Sequence, residues 1–194
     1  MNESHLLLGV TASVAAIKTP ELVSELKKFG HEVRVIVTEN AVRFFDPEQL
    51  SVPVYHDVDE WSSWSARGDP VLHIEQLRNW ANVLLLAPLS ANTMAKLAYG
   101  CADNLLTTLS RSWWFPTTPE KQVFFAPAMN TKMWQHPFTS EQVDRLTRKL
   151  GWICIPPVCK TLMCGEHGIG AMAEVHNICT IVNKTLKIER VQNA

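Results

Sequence analysis

The run VLLLA at residues 83–87 is apolar at every position. A strand with one wet face alternates apolar and polar residues, so an unbroken apolar run of this length reads as a strand covered on both faces, as in the middle of a parallel sheet. Four further segments have strand character: HLLLGV at 5–10, EVRVIV at 32–37, QVFFA at 122–126 and residues 152–155. Helical segments with their own start and stop signals lie between them. Ser13 can cap a helix running to Phe29, with Gly30 to end it and Pro20 to kink or break it. Helices are also expected over 90–99, over 103–112, from Thr139 (which forms a capping-box pattern with Gln142) to Gly151, and over 177–188. Residues 38–70 read as irregular, with short helical pieces and an extended stretch at 52–55. Residues 156–170 open on prolines, hold three glycines and read as a loop.

Strands that alternate with helices give a parallel, doubly wound α/β sheet of the Rossmann-like or flavodoxin-like kind. The 194 residues contain no internal repeat, no low-complexity tract and no linker, so one domain spanning 1–194 is expected, with a flap at about 156–170. A formal net charge of −1 argues against nucleic acid or a membrane surface as partner. No apolar run approaches the roughly 20 residues that cross a bilayer. Residues 1–5 are polar and lack the charged and apolar regions of a signal peptide, so a cytoplasmic location is expected. The cysteines, Cys101, Cys154, Cys159, Cys164 and Cys179, are odd in number and not paired as in a zinc knuckle, which reads as free thiols and no metal.

Open parallel sheets bind ligands beyond the carboxyl ends of their strands. The segments at those ends are Thr11, Ala12, Ser13 and Val14; Thr38, Glu39 and Asn40; Ser90, Ala91, Asn92 and Thr93; and Ala128, Met129 and Asn130. They are mostly small or hydroxylic. Ser13 and the turn from Ser90 to Thr93 stand where helices begin, and a helix N-terminus offers unpaired N–H groups and partial positive charge to a phosphate. Each turn alone is equally explained as a helix cap; three on one edge point to a phosphorylated ligand. Neither GxGxxG nor a P-loop is present. Asn130 can hold a carboxylate through its amide or serve as a turn residue. His73, within DPVLHIE, can bind an anion, move a proton or be structural. Cys164 stands in the glycine-rich stretch LMCGEHGIG at 162–170. An unperturbed thiol, with a pKa of about 8.5, is mostly protonated at neutral pH, so Cys164 suits a proton donor on a closing flap, or is inert.

The stretches GVTASVAAIK (9–18), DPVLHIE (69–75), APLSANTMAK (87–96), APAMNTKMW (126–134) and CGEHGIGAMAE (164–174) together resemble the homo-oligomeric flavin-containing cysteine decarboxylases, in the same order and over nearly the whole chain. The resemblance implies FMN as cofactor and 4′-phosphopantothenoylcysteine as substrate, converted to 4′-phosphopantetheine in coenzyme A biosynthesis. It assigns flavin contacts to Ala12, Ser13, Val14, Thr38, Glu39, Asn40, Ser90, Ala91, Asn92, Thr93 and Ala128. It makes His73 an active-site histidine, Asn130 the group that holds the substrate carboxylate, and Cys164 the acid that reprotonates the product, with Met129, Thr161 and Met163 beside the substrate. It also implies a homotrimer with active sites at subunit boundaries, the histidine coming from a neighbour. The implied chemistry is coherent. An α-carboxylate leaves only if the resulting charge finds a sink, and oxidation of CH₂–SH to a thioaldehyde by FMN supplies one.

The sequence departs from the family in three places. The family's HIELRRWAD becomes HIEQLRNWAN at 73–82, one residue longer and ending in Asn82. Thr161, beside Lys160, stands where the family carries Lys or Arg three residues before the cysteine. Residues 114–121 form a longer segment than expected, read as a surface insertion. Two other functions belong to the same resemblance: a regulatory subunit of the phosphatase-inhibitor type, and another flavin-dependent cysteine decarboxylase. The retention of His73, Asn130 and Cys164 and the lack of a long acidic tail favour the coenzyme A enzyme over the regulator.

Overall fold

In the computed structural model, which describes residues 4–118, 120–161, 165 and 167–192, six strands form one parallel sheet. They are β1 (Ser4–Val10), β2 (His31–Val37), β3 (Val54–Tyr55), β4 (Val83–Leu89), β5 (Gln122–Pro127) and β6 (Ile153–Cys154), in the order β3-β2-β1-β4-β5-β6. All five pairings are parallel. This is the dinucleotide-binding order, and the chain reverses its direction across the sheet between β1 and β4.

Every residue of β4 is buried, as the unbroken VLLLA run requires. Alternation along the strands divides two cores. Leu6, Leu8, Val35, Leu85 and Phe124 face one side with α1 (Thr19–Lys28) and α7 (Val175–Gln192). Leu7, Ile36, Leu84, Leu86 and Phe125 face the other with α3 (Ala91–Tyr99) and α4 (Leu105–Ser112). Gly9 lets α4 lie directly on β1: a Cβ there would stand 2.6 Å from Leu106 Cδ1 and 2.8 Å from Leu86 Cδ2. At the reversal point, Thr11 is fully buried, donates its hydroxyl to Pro88 O at 2.8 Å and accepts from Ser90 N–H at 2.7 Å. The ends of β1 and β4 are thereby tied together at the point from which the site is built.

Several boundaries differ from expectation. Ser13 caps only a 3₁₀ turn, Val14–Lys18, and α1 starts at Thr19 with Pro20 in its first turn, where a missing N–H costs nothing. The helix expected from Thr139 opens earlier, as α6 (Pro137–Asp144), because His136 caps it and Pro137 presets its first turn; it continues through a π-helical turn, Arg145–Lys149. The final helix begins at Val175. The expected loop at 156–170 contains an antiparallel hairpin, β7 (Val158–Thr161) paired with β8 (His167–Ala171). Its strands are short and mix Val158, Ile169 and Ala171 with polar residues and two glycines, so no regular apolar period announced it.

The segment 114–121 is largely at the surface, as expected (Phe115, Pro116, Thr118 and Glu120 are exposed), and is tied to the fold at its two ends. The Trp113 indole donates to Lys121 O at 3.3 Å, and the Arg78 guanidinium lies 3.2 Å from the centre of the Trp114 ring. Burial, and then the charge of Arg78, push the Lys121 ammonium below its ordinary value.

Candidate active site

Three helix starts border one cavity of about 550 Å³. Ser13, extended at φ −144°, accepts from Ala15 N–H. Ser90 caps α3 by accepting from Thr93 N–H at 3.3 Å. Asn104 caps α4 by accepting from Thr107 N–H at 2.8 Å. The cavity sits over the carboxyl ends of β1, β2 and β4. Its lining includes all eleven residues expected to contact a flavin: Ala12, Ser13, Val14, Thr38, Glu39, Asn40, Ser90, Ala91, Asn92, Thr93 and Ala128.

The cavity also takes in Phe44, Asp57, Lys96, Asp103, Asn104, Met129 and Met133, of which only Met129 had been singled out from the sequence. Asn104 carried a readable signal, an Asn–x–x–Thr helix start; the others arrive from separate elements. Lys96 forms an ion pair with Asp103 and holds that carboxyl below the usual range. Asp57 accepts the Leu105 N–H at 2.9 Å.

The residues fit FMN. The volume lies in the usual range for cofactor sites, about 300–1,000 Å³. Alanines at 12, 91 and 128 leave room for a flat ring, the Ser, Thr and Asn side chains match a polyhydroxylated chain, and the N-terminus of α3 suits a phosphate.

A second cavity, of about 620 Å³, shares Ser13, Val14, Ala128 and Met129 with the first. Its other walls include Ile17, Lys18, Asn130, Lys160, Thr161 and Gly170. Asn130 caps α5 (Thr131–Trp134), its Oδ1 accepting from Lys132 N–H at 2.8 Å, and it borders this cavity as well. The two readings of Asn130 are therefore compatible. Lys160 forms an ion pair with Glu174 on the same cavity's lining. The hairpin closes onto the Asn130 turn: Met129 N–H donates to Gly170 O at 2.9 Å. Met163 and Cys164 lie outside the described residues, whose neighbours Thr161 and Gly165 are in the hairpin and its connection.

His73 is not brought to this place: the described linings of both cavities omit it. It lies on a π-helical segment, Leu72–Arg78, beside α2 (Asp57–Ser62), and its Nδ1 is 2.5 Å from Glu60 Oε1. The π turn accounts for the residue added after His73. Asn79 N–H donates to Ile74 O, a five-residue step, and Leu72 and Leu77, also five apart, are both buried. One extra residue widens the turn while both anchors stay in the core. Asn82 exchanges hydrogen bonds with His5, its N–H donating to His5 O at 2.8 Å and its Oδ1 accepting from His5 N–H at 3.2 Å, and so aligns β4 with β1.

A parallel sheet with helix starts and small residues around a crevice at its reversal point defines a flavin- or nucleotide-binding α/β protein. The Flavoprotein family matches residues 1–187. Phosphopantothenoylcysteine decarboxylase of Mus musculus is 50% identical over 183 residues, 94% of this chain and 87% of that one. Its counterpart in Arabidopsis thaliana is 50% identical over 172 residues, 88% of this chain and 79% of that one. Among solved structures, a mutant phosphopantothenoylcysteine decarboxylase complexed with pantothenoylaminoethenethiol superposes with a TM-score of 0.90 at 46% identity, covering 96% of this chain and all of that one. A solved FMN-binding protein gives 0.86 at 46% identity, over 96% of this chain and 98% of its own. The chain belongs to the Flavoprotein family and, within it, to the phosphopantothenoylcysteine decarboxylases.

Proposed function

We propose that this protein decarboxylates the cysteine moiety of 4′-phosphopantothenoylcysteine to give 4′-phosphopantetheine, with FMN held in the crevice over β1, β2 and β4. The observation that carries the reading is the shared wall. The cavity that fits the cofactor and the cavity that holds Asn130 meet at Ser13, Val14, Ala128 and Met129. A substrate in the second cavity would lie directly against a group in the first.

When bound, FMN supplies a hydride acceptor that converts the substrate's CH₂–SH to a thioaldehyde and later returns the hydride. The chain's own residues orient and protonate. The Asn130 amide holds the carboxylate that leaves as CO₂, while Met129 and Thr161 line the substrate's path. Lys18 and Lys160, ion-paired to Glu21 and Glu174, place two ammonium groups on the lining that can turn to a phosphorylated substrate. Cys164 donates a proton to the decarboxylated product.

The working unit is a homotrimer in which His73 completes a neighbour's site. Support comes from the position of His73 away from its own chain's cavities, and from exposed apolar residues beside it: Val58, Trp61 and Trp64 are 66%, 76% and 54% exposed. Two catalytically dead variants, His73→Gln and Asn130→Asp, should regain activity when mixed and reassembled, since some interfaces then pair two intact halves. A cytoplasmic location agrees with the four described cysteines, all free thiols. Among the described residues no helix is long and apolar enough to cross a membrane.

The test is the visible spectrum of the purified protein, followed by incubation with 4′-phosphopantothenoylcysteine and mass analysis. A flavin spectrum with loss of one CO₂ from the substrate is the expected result. A flavin spectrum without turnover would overturn the enzymatic reading, and a colourless protein that cannot take up FMN would overturn the assignment of the first cavity.

A further inference from the structure

The pair Glu60–His73 is built more tightly than a surface contact. The two side chains are 14% and 17% exposed, and Glu60 Oε1 lies 2.5 Å from His73 Nδ1. At that separation the two atoms share a hydrogen bond, which the Nδ1–H tautomer of His73 donates to an ionised Glu60. Glu60 Oε2 is buried without a hydrogen-bond partner among the described residues. A carboxylate withdrawn from water with no partner of its own on one oxygen is costly to hold, so the histidine is what keeps Glu60 in place.

The helix that carries Glu60 is anchored independently of His73. Asp57, one turn earlier on α2, lines the cofactor cavity and takes the Leu105 N–H; Asp59 takes the His56 N–H at 2.7 Å and closes the helix start. One short helix thus touches the cofactor cavity with one carboxylate and grips His73 with another. His73 reaches Glu60 from the π-helical segment Leu72–Arg78.

We propose that Glu60 is the positioning residue for His73. Its carboxylate accepts Nδ1–H, fixes that tautomer and the ring plane, and leaves Nε2 as the working nitrogen. The inference rests on the reading of His73 as the histidine of a neighbouring site. Oxidation of the substrate's CH₂–SH removes a hydride from carbon and a proton from sulfur. The proton passes to Nε2, the resulting imidazolium is balanced by the Glu60 carboxylate, and the same proton returns to the thiolate of the product. The pair therefore ends each turnover as it began.

The experiment uses FMN-loaded protein labelled with ¹⁵N-histidine, with turnover of 4′-phosphopantothenoylcysteine measured in parallel. The parent should show His73 as the Nδ1–H tautomer. Glu60→Ala should shift His73 toward the Nε2–H form and lower kcat about 10–100-fold, the usual effect of removing a group that orients a working histidine, with KM and FMN content unchanged. Glu60→Gln, whose side-chain carbonyl can still accept Nδ1–H, should keep the tautomer and recover part of the rate; it also carries the test if the alanine variant does not fold. An unchanged tautomer or kcat in Glu60→Ala, with His73→Gln inactive, overturns the role of Glu60. Normal turnover by His73→Gln overturns the reading of His73 on which it rests.

Discussion

Gly170 is the point at which the β7–β8 hairpin meets the Asn130 turn, and its replacement by alanine tests whether that contact shapes the substrate cavity. Its φ of +135° is a conformation that side-chain-bearing residues rarely adopt, and an added Cβ would stand 2.4 Å from Met129 O, a backbone atom that cannot swing aside. Forcing alanine into that conformation costs about 1–3 kcal/mol. Relieving the clash moves β8 away and breaks the Met129 N–H to Gly170 O bond of 2.9 Å, for about 1 kcal/mol more. A loss of about 2–4 kcal/mol at the cavity wall corresponds to roughly 30-fold or more in apparent substrate affinity. Gly170 lines the second cavity and is not part of the described lining of the first, so FMN should stay bound. The assay is steady-state KM for 4′-phosphopantothenoylcysteine, with the flavin spectrum recorded on the same sample. Gly165→Ala is the control: φ is +83° there, but nothing lies within 4 Å of the added Cβ, so only conformational strain of about 1–2 kcal/mol applies. A KM within threefold of the parent for Gly170→Ala would refute the argument that this approach sets the cavity.

Asn130→Asp should abolish decarboxylation while leaving thermal stability and FMN content intact, because aspartate caps α5 as well as asparagine does but places like charge against the substrate carboxylate; loss of flavin or a large fall in Tm would instead make Asn130 purely structural. Cys164→Ser should release the oxidised, decarboxylated product, identified by mass, and a normal yield of the reduced product would dispose of its role as proton donor. Burial pushes the Cys154 thiol up to about 11, and burial followed by the charge of Glu25 pushes Cys179 up to about 12, from an ordinary value of 9.0. The folded chain thus keeps protons that the unfolded chain releases above pH 9, so this contribution to stability is complete below pH 9 and is lost as pH rises toward 12. The denaturation midpoint should therefore fall less steeply over that range in Cys179→Ala than in the parent, and equal slopes would contradict the buried-thiol account.

Much of the architecture was legible because it depends on local periodicity. An all-apolar VLLLA cannot face water on either side, so a doubly covered central strand followed from composition alone, and β4 is buried at every position. The turns that line the first cavity were legible for a related reason. Residues that end a parallel strand and start a helix must lie at the sheet's carboxyl edge, so Ser13, Thr38 and Ser90 converge on one cavity once the strand order places β1, β2 and β4 side by side. The resemblance placed Asn130 and Thr161 near one another, and the fold brings both to the second cavity.

What the sequence could not supply depends on distance across the chain. Asp57, Lys96 and Asn104 reach the cofactor cavity from three elements, and no local pattern marks such a convergence. The hairpin β7–β8 is held by backbone pairing between two short strands of mixed apolar, polar and glycine residues, so it leaves no regular hydrophobic period to read. The residue added after His73 was visible as an extra position, but not how the protein absorbs it: as a π turn that keeps Leu72 and Leu77 both buried. The pairing of Glu60 with His73 across 13 residues is likewise a product of tertiary structure. Periodicity and turn chemistry, which act over a few residues, determined the sheet and its binding edge; the positions of charged and titratable groups, which depend on how whole elements pack, were decided only when the chain folded.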